Sequence, residues 1–383
     1  MRERSTSNPL FLAWLALLLV SGGCRGGRQE PPTAASERPP EAEESETNAE
    51  RGAIGIHNPD NAPELIPIAE RVAQCDYDEG LTTRDCSALE DLRREAGDLP
   101  PPLGLTTLLN LLEDESPSVR FAAAKSLRTH HFGEQPLTDS ASLDAALKAL
   151  WEEQEGPILA ELGGLVSRFR LAQAGKTEEV LKALRSHPRR EARIVLVGQI
   201  LFANREVSRV FEAVAEIARE DQHEEIRSAA LGAFWNIGTD RRSEIVALWR
   251  EALSWPQARL SADAAYLLGN WHGGVEEAFE EVLAETARRA DDLSLSWEFL
   301  AGLERYVRND RDFVTKEKVF DVLAEVAQNN NLFWNVRNRA MTIMENTGDE
   351  RLQETLTPLT SDPEMLVAKH AADIIEGESP EPE

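Results

Sequence analysis

Apolar residues recur every three to four positions along most of the chain after residue 51, which is the period of one face of an α-helix. The strict alternation of apolar and polar residues that is typical of half-buried β-strands does not occur in convincing form. Short hinges with Gly, Pro or other turn residues interrupt the helical pattern at 99–102, 131–133, 186–188, 238–240, 273–274 and 348–349. The pattern predicts an all-α protein made of many short helices joined by tight turns.

The helical pattern is also repetitive, with a period of 30 to 41 residues, when similar segments are aligned on one common position. The aligned residues are Arg120, Leu159, Arg193, Arg227, Arg259, Ser296, Arg337 and Val367. One residue before each of them, and three and seven residues after, every position is apolar or aromatic except His370. Because offsets of four residues fall on one helical face, the alignment predicts eight helices that each bury an apolar stripe.

Two of the aligned segments, residues 113–127 and 221–234, resemble the second helix of a HEAT repeat. The resemblance covers about residues 103–377 and implies a right-handed α-solenoid of about eight helical hairpins, each buried only against its neighbours. HEAT repeats often pair an Asp in the turn with an Arg six residues later, a spacing that Asp114 and Asp221 keep. Residues 51–102 do not follow the repeat, and we expect them to form an N-terminal helical cap.

The N-terminal residues have the features of an export signal. Arg2 and Arg4 precede about a dozen apolar residues, a run too short to span a bilayer but typical of a signal peptide. The residues Ser-Gly-Gly-Cys at 21–24 resemble the lipobox of bacterial lipoproteins, although Ser21 stands where that family prefers Leu. The resemblance implies removal of residues 1–23 and lipidation of Cys24. Ordinary secretory cleavage and a retained anchor are the alternatives.

The composition of two further segments sets them apart from the helical body. Residues 24–50 are rich in Pro and Glu and nearly free of large apolar side chains, so we expect a disordered linker. Residues 378–383 are predicted to be a disordered acidic tail. Together with a lipid on Cys24, these segments predict an exported, membrane-anchored protein at the outer membrane or the periplasmic face.

The charge of the chain narrows the range of partners. The 383 residues carry 68 acidic and 41 basic side chains, which gives a formal net charge of −27. Such a chain repels nucleic-acid phosphates, so nucleic-acid binding is not expected, whereas a cationic protein partner is favoured.

The sequence contains no recognisable catalytic, cofactor or metal motif, and we predict no catalytic, cofactor-binding or metal-binding residue and no small-molecule substrate. His130 and His131 are adjacent, and neighbouring residues on a helix point in different directions and chelate poorly. Cys75 and Cys86 are predicted to form a disulfide, because an oxidising compartment disfavours two free thiols. The acidic loop between them lacks the ligand spacing of an EF-hand, so a solvated loop is favoured over a calcium site.

Aromatic residues supply the candidate binding surface. In HEAT arrays the second helices line the inner, concave surface, and Leu260 and Trp297 each follow an aligned residue directly, which places them off the buried stripe. Trp235 stands eight residues after Arg227. We predict that Trp235, Leu260 and Trp297 contact a partner, with packing in the core as the alternative for each.

These observations predict a non-enzymatic, protein-binding or scaffolding lipoprotein of the bacterial cell envelope. The first alternative is a structural or assembly subunit of a membrane-associated complex. The second is an enzyme built on a HEAT-like fold, such as a lyase.

Overall fold

A computed structural model describes residues 55–77, 86–129, 137–237, 241–309 and 312–377. The predicted signal peptide, Cys24, the predicted linker and the predicted acidic tail lie outside the described residues. The secondary structure of the described residues is helical, apart from one isolated bridge between Leu137 and Phe169. The predicted all-α fold is confirmed. The chain divides into two compact units, Met1–Asn204 and Arg205–Glu383.

The first unit begins with a two-helix cap and continues as helical pairs. The cap contains α1 (Ile66–Ala73) and α2 (Ala88–Asp98), and both pack against α4. The pairs are α3 (Pro101–Leu111) with α4 (Pro117–Thr129), α5 (Ser140–Glu152) with α6 (Gly156–Val166), and α7 (Thr177–Ser186) with α8 (Arg190–Gln199). The short helix α9 (Leu201–Asn204) follows them. The second helices α4, α6 and α8 pack one on the next.

The second unit is built in the same way. Its pairs are α10 (Ser208–Glu220) with α11 (Glu224–Ala233), α12 (Arg242–Leu253) with α13 (Ala258–Asn270), α14 (Phe279–Arg288) with α15 (Trp297–Arg308), α16 (Lys316–Gln328) with α17 (Trp334–Thr347), and α18 (Leu352–Leu356) with α19 (Met365–Glu376). The second helices α11, α13, α15, α17 and α19 pack in succession, which is the packing of a solenoid. No helix among the described residues is long and apolar enough to cross a membrane.

Small residues allow the second helices to pack closely. A Cβ atom added to Gly269 of α13 would lie 2.0 Å from the carbonyl oxygen of Gly302 in α15. One added to Gly302 would lie 2.3 Å from the carbonyl oxygen of Ala265. Any side chain at either position would force the two helices apart, so these glycines are required by the close approach of α13 and α15.

Arg120, the first aligned arginine, makes other contacts than the pairing with Asp114 that the sequence spacing suggests. The Asp114 carboxylate does not pair with Arg120; it accepts hydrogen bonds from the backbone N–H groups of Ile56 and Ser116, each at 2.9 Å. Arg120 instead donates to the carbonyl oxygens of Asp114 and Glu115 and pairs with Glu153 of the next hairpin at 2.8 Å.

Other aligned arginines also bind the end of the preceding first helix. Arg193 donates to the carbonyl oxygen of Leu184 at 2.6 Å, Arg227 to that of Ala218 at 2.9 Å, and Arg337 to that of Ala327 at 2.9 Å. These carbonyl groups lie at helix C-termini, where no intrahelical donor reaches them. In these three hairpins the aligned arginine therefore ties the two helices together.

The cap is fixed by a disulfide and by hydrogen bonds. Cys75 follows α1, Cys86 precedes α2, and the two form a disulfide with a Cα–Cα distance of 5.8 Å. The carbonyl oxygen of Cys75 accepts a hydrogen bond from Ser118 of α4 at 2.8 Å. In addition, the backbone N–H of Ala62 donates to the Thr107 hydroxyl at 2.9 Å. The cap thus covers the first hairpin of the array.

Candidate functional site

The three residues of the predicted binding surface do not form one surface. Leu260 is completely buried in α13, so the prediction is wrong for this residue. Helix α13 packs against α11, α12 and α15. More of its surface is therefore buried than the single apolar stripe in the sequence predicts. Trp235 is half-buried in a short 3-10 helix, Phe234–Asn236, that directly follows α11. Trp297, by contrast, is the first residue of α15 and is 42% exposed.

Around Trp297 the structure reveals a larger apolar surface, which we call the aromatic edge. Its members lie at or just before the N-termini of α15, α17 and α19, and they are Leu293, Trp297, Phe333, Trp334, Met365 and Leu366. Elsewhere in the described chain, the large apolar side chains with comparable exposure are Leu103 and Phe202, both in the other unit. Exposed apolar side chains are therefore concentrated at one end of three consecutive second helices.

Three sets of contacts bring these helix N-termini side by side. Arg337, in the first turn of α17, forms an ion pair with Asp362, three residues before α19, and both side chains are almost completely buried. Asn338 donates a hydrogen bond to the carbonyl oxygen of Leu366 at 3.3 Å. The Arg339 guanidinium lies 4.2 Å from the centre of the Trp297 ring. These contacts hold the N-terminal turns of α15, α17 and α19 next to one another.

A buried charge cluster positions the arginine that contacts Trp297. Glu304 of α15 is buried and binds two arginines, Arg308 at 2.8 Å and Arg339 of α17. Burial lowers the pKa of Arg339. Because removing Glu304 would leave the Arg339 guanidinium buried without its partner, the cluster fixes the position of the guanidinium that covers Trp297.

The repeat pattern of the sequence did not locate the other residues of the aromatic edge as exposed. It covers only fixed offsets from the aligned residues, and at one of these offsets it predicts Leu366 to be buried. Phe333 and Trp334 stand four and three residues before Arg337, outside those offsets. A signal was present in the run Leu332-Phe333-Trp334, which places three large apolar residues directly after Asn329-Asn330-Asn331 in a turn. Such a run is too apolar for an ordinary solvated turn.

A second candidate is a cleft of about 630 Å³ between the first helices α12 and α14. Its charged lining is neutralised within the chain, since Arg250 pairs with Glu281 and Glu285 binds Arg288 and Arg289. Burial alone would raise the pKa of Glu285, but the hydrogen bonds from the two arginines hold it below its usual value. The cleft therefore offers paired ions rather than an acid and a base with separated pKa values.

Asp263 is a fully enclosed carboxyl group with a strongly raised pKa. It is buried in α13, and burial raises its pKa to about 6, although Ser228 of α11 acts in the opposite direction. One oxygen of its carboxylate, Oδ2, has no hydrogen-bond partner. Among the described residues, no group of His, Cys, Asp or Glu has the geometry of a metal site. We assign Asp263 a role in the pH dependence of stability.

Comparison with known proteins bears on the fold. Residues 105–129, which span most of α3 and all of α4, match the family model of the HEAT repeat. The HEAT-repeat family is supported by this match. HEAT repeats generally mediate protein–protein interactions. No curated protein matches the chain in sequence.

Two solved structures are similar to the chain at low sequence identity. An engineered protein is 16% identical, with a TM-score of 0.35, over 87% of this chain and 96% of its own. Human deoxyhypusine hydroxylase, solved in complex with glycerol, is 16% identical, with a TM-score of 0.26, over 82% of this chain and 96% of its own. Similarity at this level says nothing about the activity of this chain.

Proposed function

We propose that this protein is a non-enzymatic scaffold of the cell envelope that binds a protein partner through the aromatic edge. The observation that carries the proposal is the exposure of Trp297, Phe333, Trp334 and Met365 on adjoining helix N-termini. Aromatic residues and Met are enriched in protein interfaces, and a contiguous exposed apolar patch on a soluble body marks an interaction site.

The overall charge favours a different protein over a second copy as the partner. Two chains with a formal net charge of −27 repel each other, which opposes self-association. A partner that covers the two indole rings would gain the binding energy that buried aromatic anchors supply, often about 2 kcal/mol or more for each anchor.

The second part of the proposal is that Cys24 is lipidated and that residues 24–50 connect the helical body to a membrane. It is supported by the resemblance of residues 21–24 to a lipobox and by the apolar run before them. A single acyl chain binds membranes only marginally, so stable anchoring requires several chains. Expression of the full chain and of Cys24→Ser in a Gram-negative host, followed by detergent partitioning, tests this part. Equal aqueous partitioning of the two proteins would contradict it.

The binding proposal is tested by capture experiments with tagged full-length chains. We expect Trp297→Ala/Trp334→Ala to lose a partner that the unaltered chain retains after cross-linking. Phe202→Ala is the control, because Phe202 is an aromatic residue outside the edge that is even more exposed than Trp297 and Trp334. Unchanged capture by the double variant would refute the aromatic edge as the binding surface. If the unaltered chain and the double variant are both recovered in the same large complex, the result would favour the assembly role instead.

A further inference from the structure

The geometry around Trp297 shows how this ring accommodates a cation. The Arg339 guanidinium stacks on the indole, while 42% of the residue remains exposed to solvent. Guanidinium groups are attracted to the negative faces of indole rings. Arg339 is held in place by the buried Glu304. The exposed 42% of Trp297 and 46% of Trp334 are accessible to a ligand.

Exposed carboxylates flank members of the aromatic edge along the chain. Asp291 and Asp292 are exposed in the loop before α15, Glu298 follows Trp297, and Glu364 precedes Met365. The Asn329 amide donates to Asp291 at 3.4 Å and to the carbonyl oxygen of Ala290 at 2.7 Å. These bonds hold the acidic loop before α15 against the turn that leads to Phe333 and Trp334. The acidic residues therefore lie beside the aromatic edge and not on a distant surface.

The helix dipoles act in the opposite direction and must be weighed against the carboxylates. Three helix N-termini meet at the edge, and each carries the equivalent of roughly half a positive charge, which alone would favour an anion. Side chains already satisfy N-terminal backbone groups, since Ser296 accepts from Phe299 N–H and Glu364 accepts from Leu366 N–H, both at 3.4 Å. The exposed cation on the first turns of α19 is Lys369, and Asp292 is partly offset by Arg289, whose guanidinium lies 4.0 Å away. Asp291, Glu298 and Glu364 form no ion pair among the described residues and carry full charges. We therefore expect the local field at the edge to be negative.

We propose that the aromatic edge binds a cationic segment of the partner in which arginine side chains stack on Trp297 and Trp334 and pair with the adjacent carboxylates. Arginine fits better than lysine, because its planar guanidinium both stacks on aromatic rings and binds carboxylates in a bidentate manner, and because it is less strongly hydrated. Apolar residues between the arginines would pack on Phe333, Met365 and Leu293. This inference rests on the proposed function and adds the chemistry of the partner to it.

The test is the binding of labelled peptides to the full-length chain, measured by fluorescence anisotropy. One peptide alternates arginine with leucine, and two matched peptides carry lysine or glutamate in place of arginine. We expect the arginine peptide to bind more tightly than the lysine peptide, the glutamate peptide not to bind, and affinity to fall with added salt. Trp297→Ala/Trp334→Ala should weaken arginine-peptide binding by roughly tenfold or more, whereas Phe202→Ala should leave it unchanged.

Two results would overturn the inference. The first is binding of the glutamate peptide as tight as that of the arginine peptide, which would show that charge plays no part. The second is an arginine peptide that fails to bind, or that binds the double variant as tightly as the unaltered chain. If the double variant nevertheless loses its partner in the capture experiment, the proposed function stands and only the assigned partner chemistry is wrong.

Discussion

The second unit has two surfaces that differ in their exposed side chains, which are paired charges on one surface and large apolar residues on the other. On the first helices, charged residues pair between consecutive hairpins, as in Arg219 with Glu251 at 2.9 Å and Lys318 with Glu280 at 3.2 Å. Arg242 and Arg250 of α12 pair in the same way with Glu277 and Glu281 near or within α14. At the aromatic edge, large apolar side chains are instead exposed.

The difference between the two surfaces shows where binding energy remains to be gained. The paired surface has satisfied its charges within the chain, and a partner would have to replace those ion pairs with equally good ones. The aromatic edge exposes apolar area that burial would stabilise by about 25 cal/mol for each Å² removed from water. We infer that the charges on the first helices are already satisfied within the chain and that the edge is available for binding.

The largest effect of a substitution is expected where the edge rests on a buried ion pair. Arg337 and Asp362 are only 2% and 3% exposed, and Asp362→Ala would leave the guanidinium buried without its partner. We expect a loss of about 3–5 kcal/mol of unfolding free energy. Chemical denaturation of the full chain measures it. A loss below about 1 kcal/mol would show that water reaches this pair and that it does not fix α17 against α19.

Substitutions at Leu260 and Trp297 should show the difference in stability between losing a core residue and losing a surface residue. Leu260→Ala removes a fully buried side chain and should cost about 2–5 kcal/mol of stability. Trp297→Ala removes a side chain that is 42% exposed and should cost clearly less. Thermal melting of the two variants provides the comparison. Equal, large losses would mean that Trp297 belongs to the core and that the aromatic edge is a packing feature.

Asp263 should destabilise the folded protein at neutral pH. Its folded pKa of about 6 lies above the ordinary value of 3.8, so its contribution to stability is complete below pH 3.8 and is lost as the pH rises through 6. The difference corresponds to about 3 kcal/mol at pH 7. Asp263→Asn should therefore be the more stable protein at neutral pH by up to this amount and nearly equal to the unaltered chain below the ordinary pKa. Chemical denaturation of both proteins at pH 7 and below pH 3.8 measures the difference. If Asp263→Asn were less stable than the unaltered chain at neutral pH, the carboxylate could not be both buried and unpaired.

The smallest effect is expected on the paired surface. Arg250 and Glu281 are 41% and 42% exposed, so Glu281→Gln should change stability by no more than about 1 kcal/mol. The small effect should shrink further with added salt. Denaturation at low and high salt measures both. A loss as large as that of Asp362→Ala would mean that the first-helix pairs are a main source of stability, contrary to their exposure.

The apolar repeat in the sequence located the second helices well, because burial between hairpins imposes the same requirement in each repeat. One residue before the aligned position, and three and seven residues after it, most side chains are buried, including Val119, Phe299 and Met344. Leu366 is an exception at 39% exposure, since α19 ends the described array and packs against α17 but against no later second helix.

The binding surface was harder to predict than the fold, for two physical reasons. Leu260 was misplaced because one helical stripe underestimates the burial of a helix that has neighbours on several sides. Trp334 was missed because its exposure depends on where α17 begins, and a helix start is not visible in a repeat of apolar offsets. The partners of Arg120 and Arg337 also could not be read from spacing, since both pair with the following hairpin.

Site-specific photo-cross-linking tests most directly whether the aromatic edge is the binding surface. A photoreactive amino acid is placed at position 334 of the aromatic edge or, in a matched chain, at position 251 on the paired first-helix surface, where Glu251 is similarly exposed. We expect a discrete partner adduct from position 334, abolished by Trp297→Ala, and none from position 251. Adducts from position 251 alone, or equal adducts from both positions, would contradict the contrast between the two surfaces.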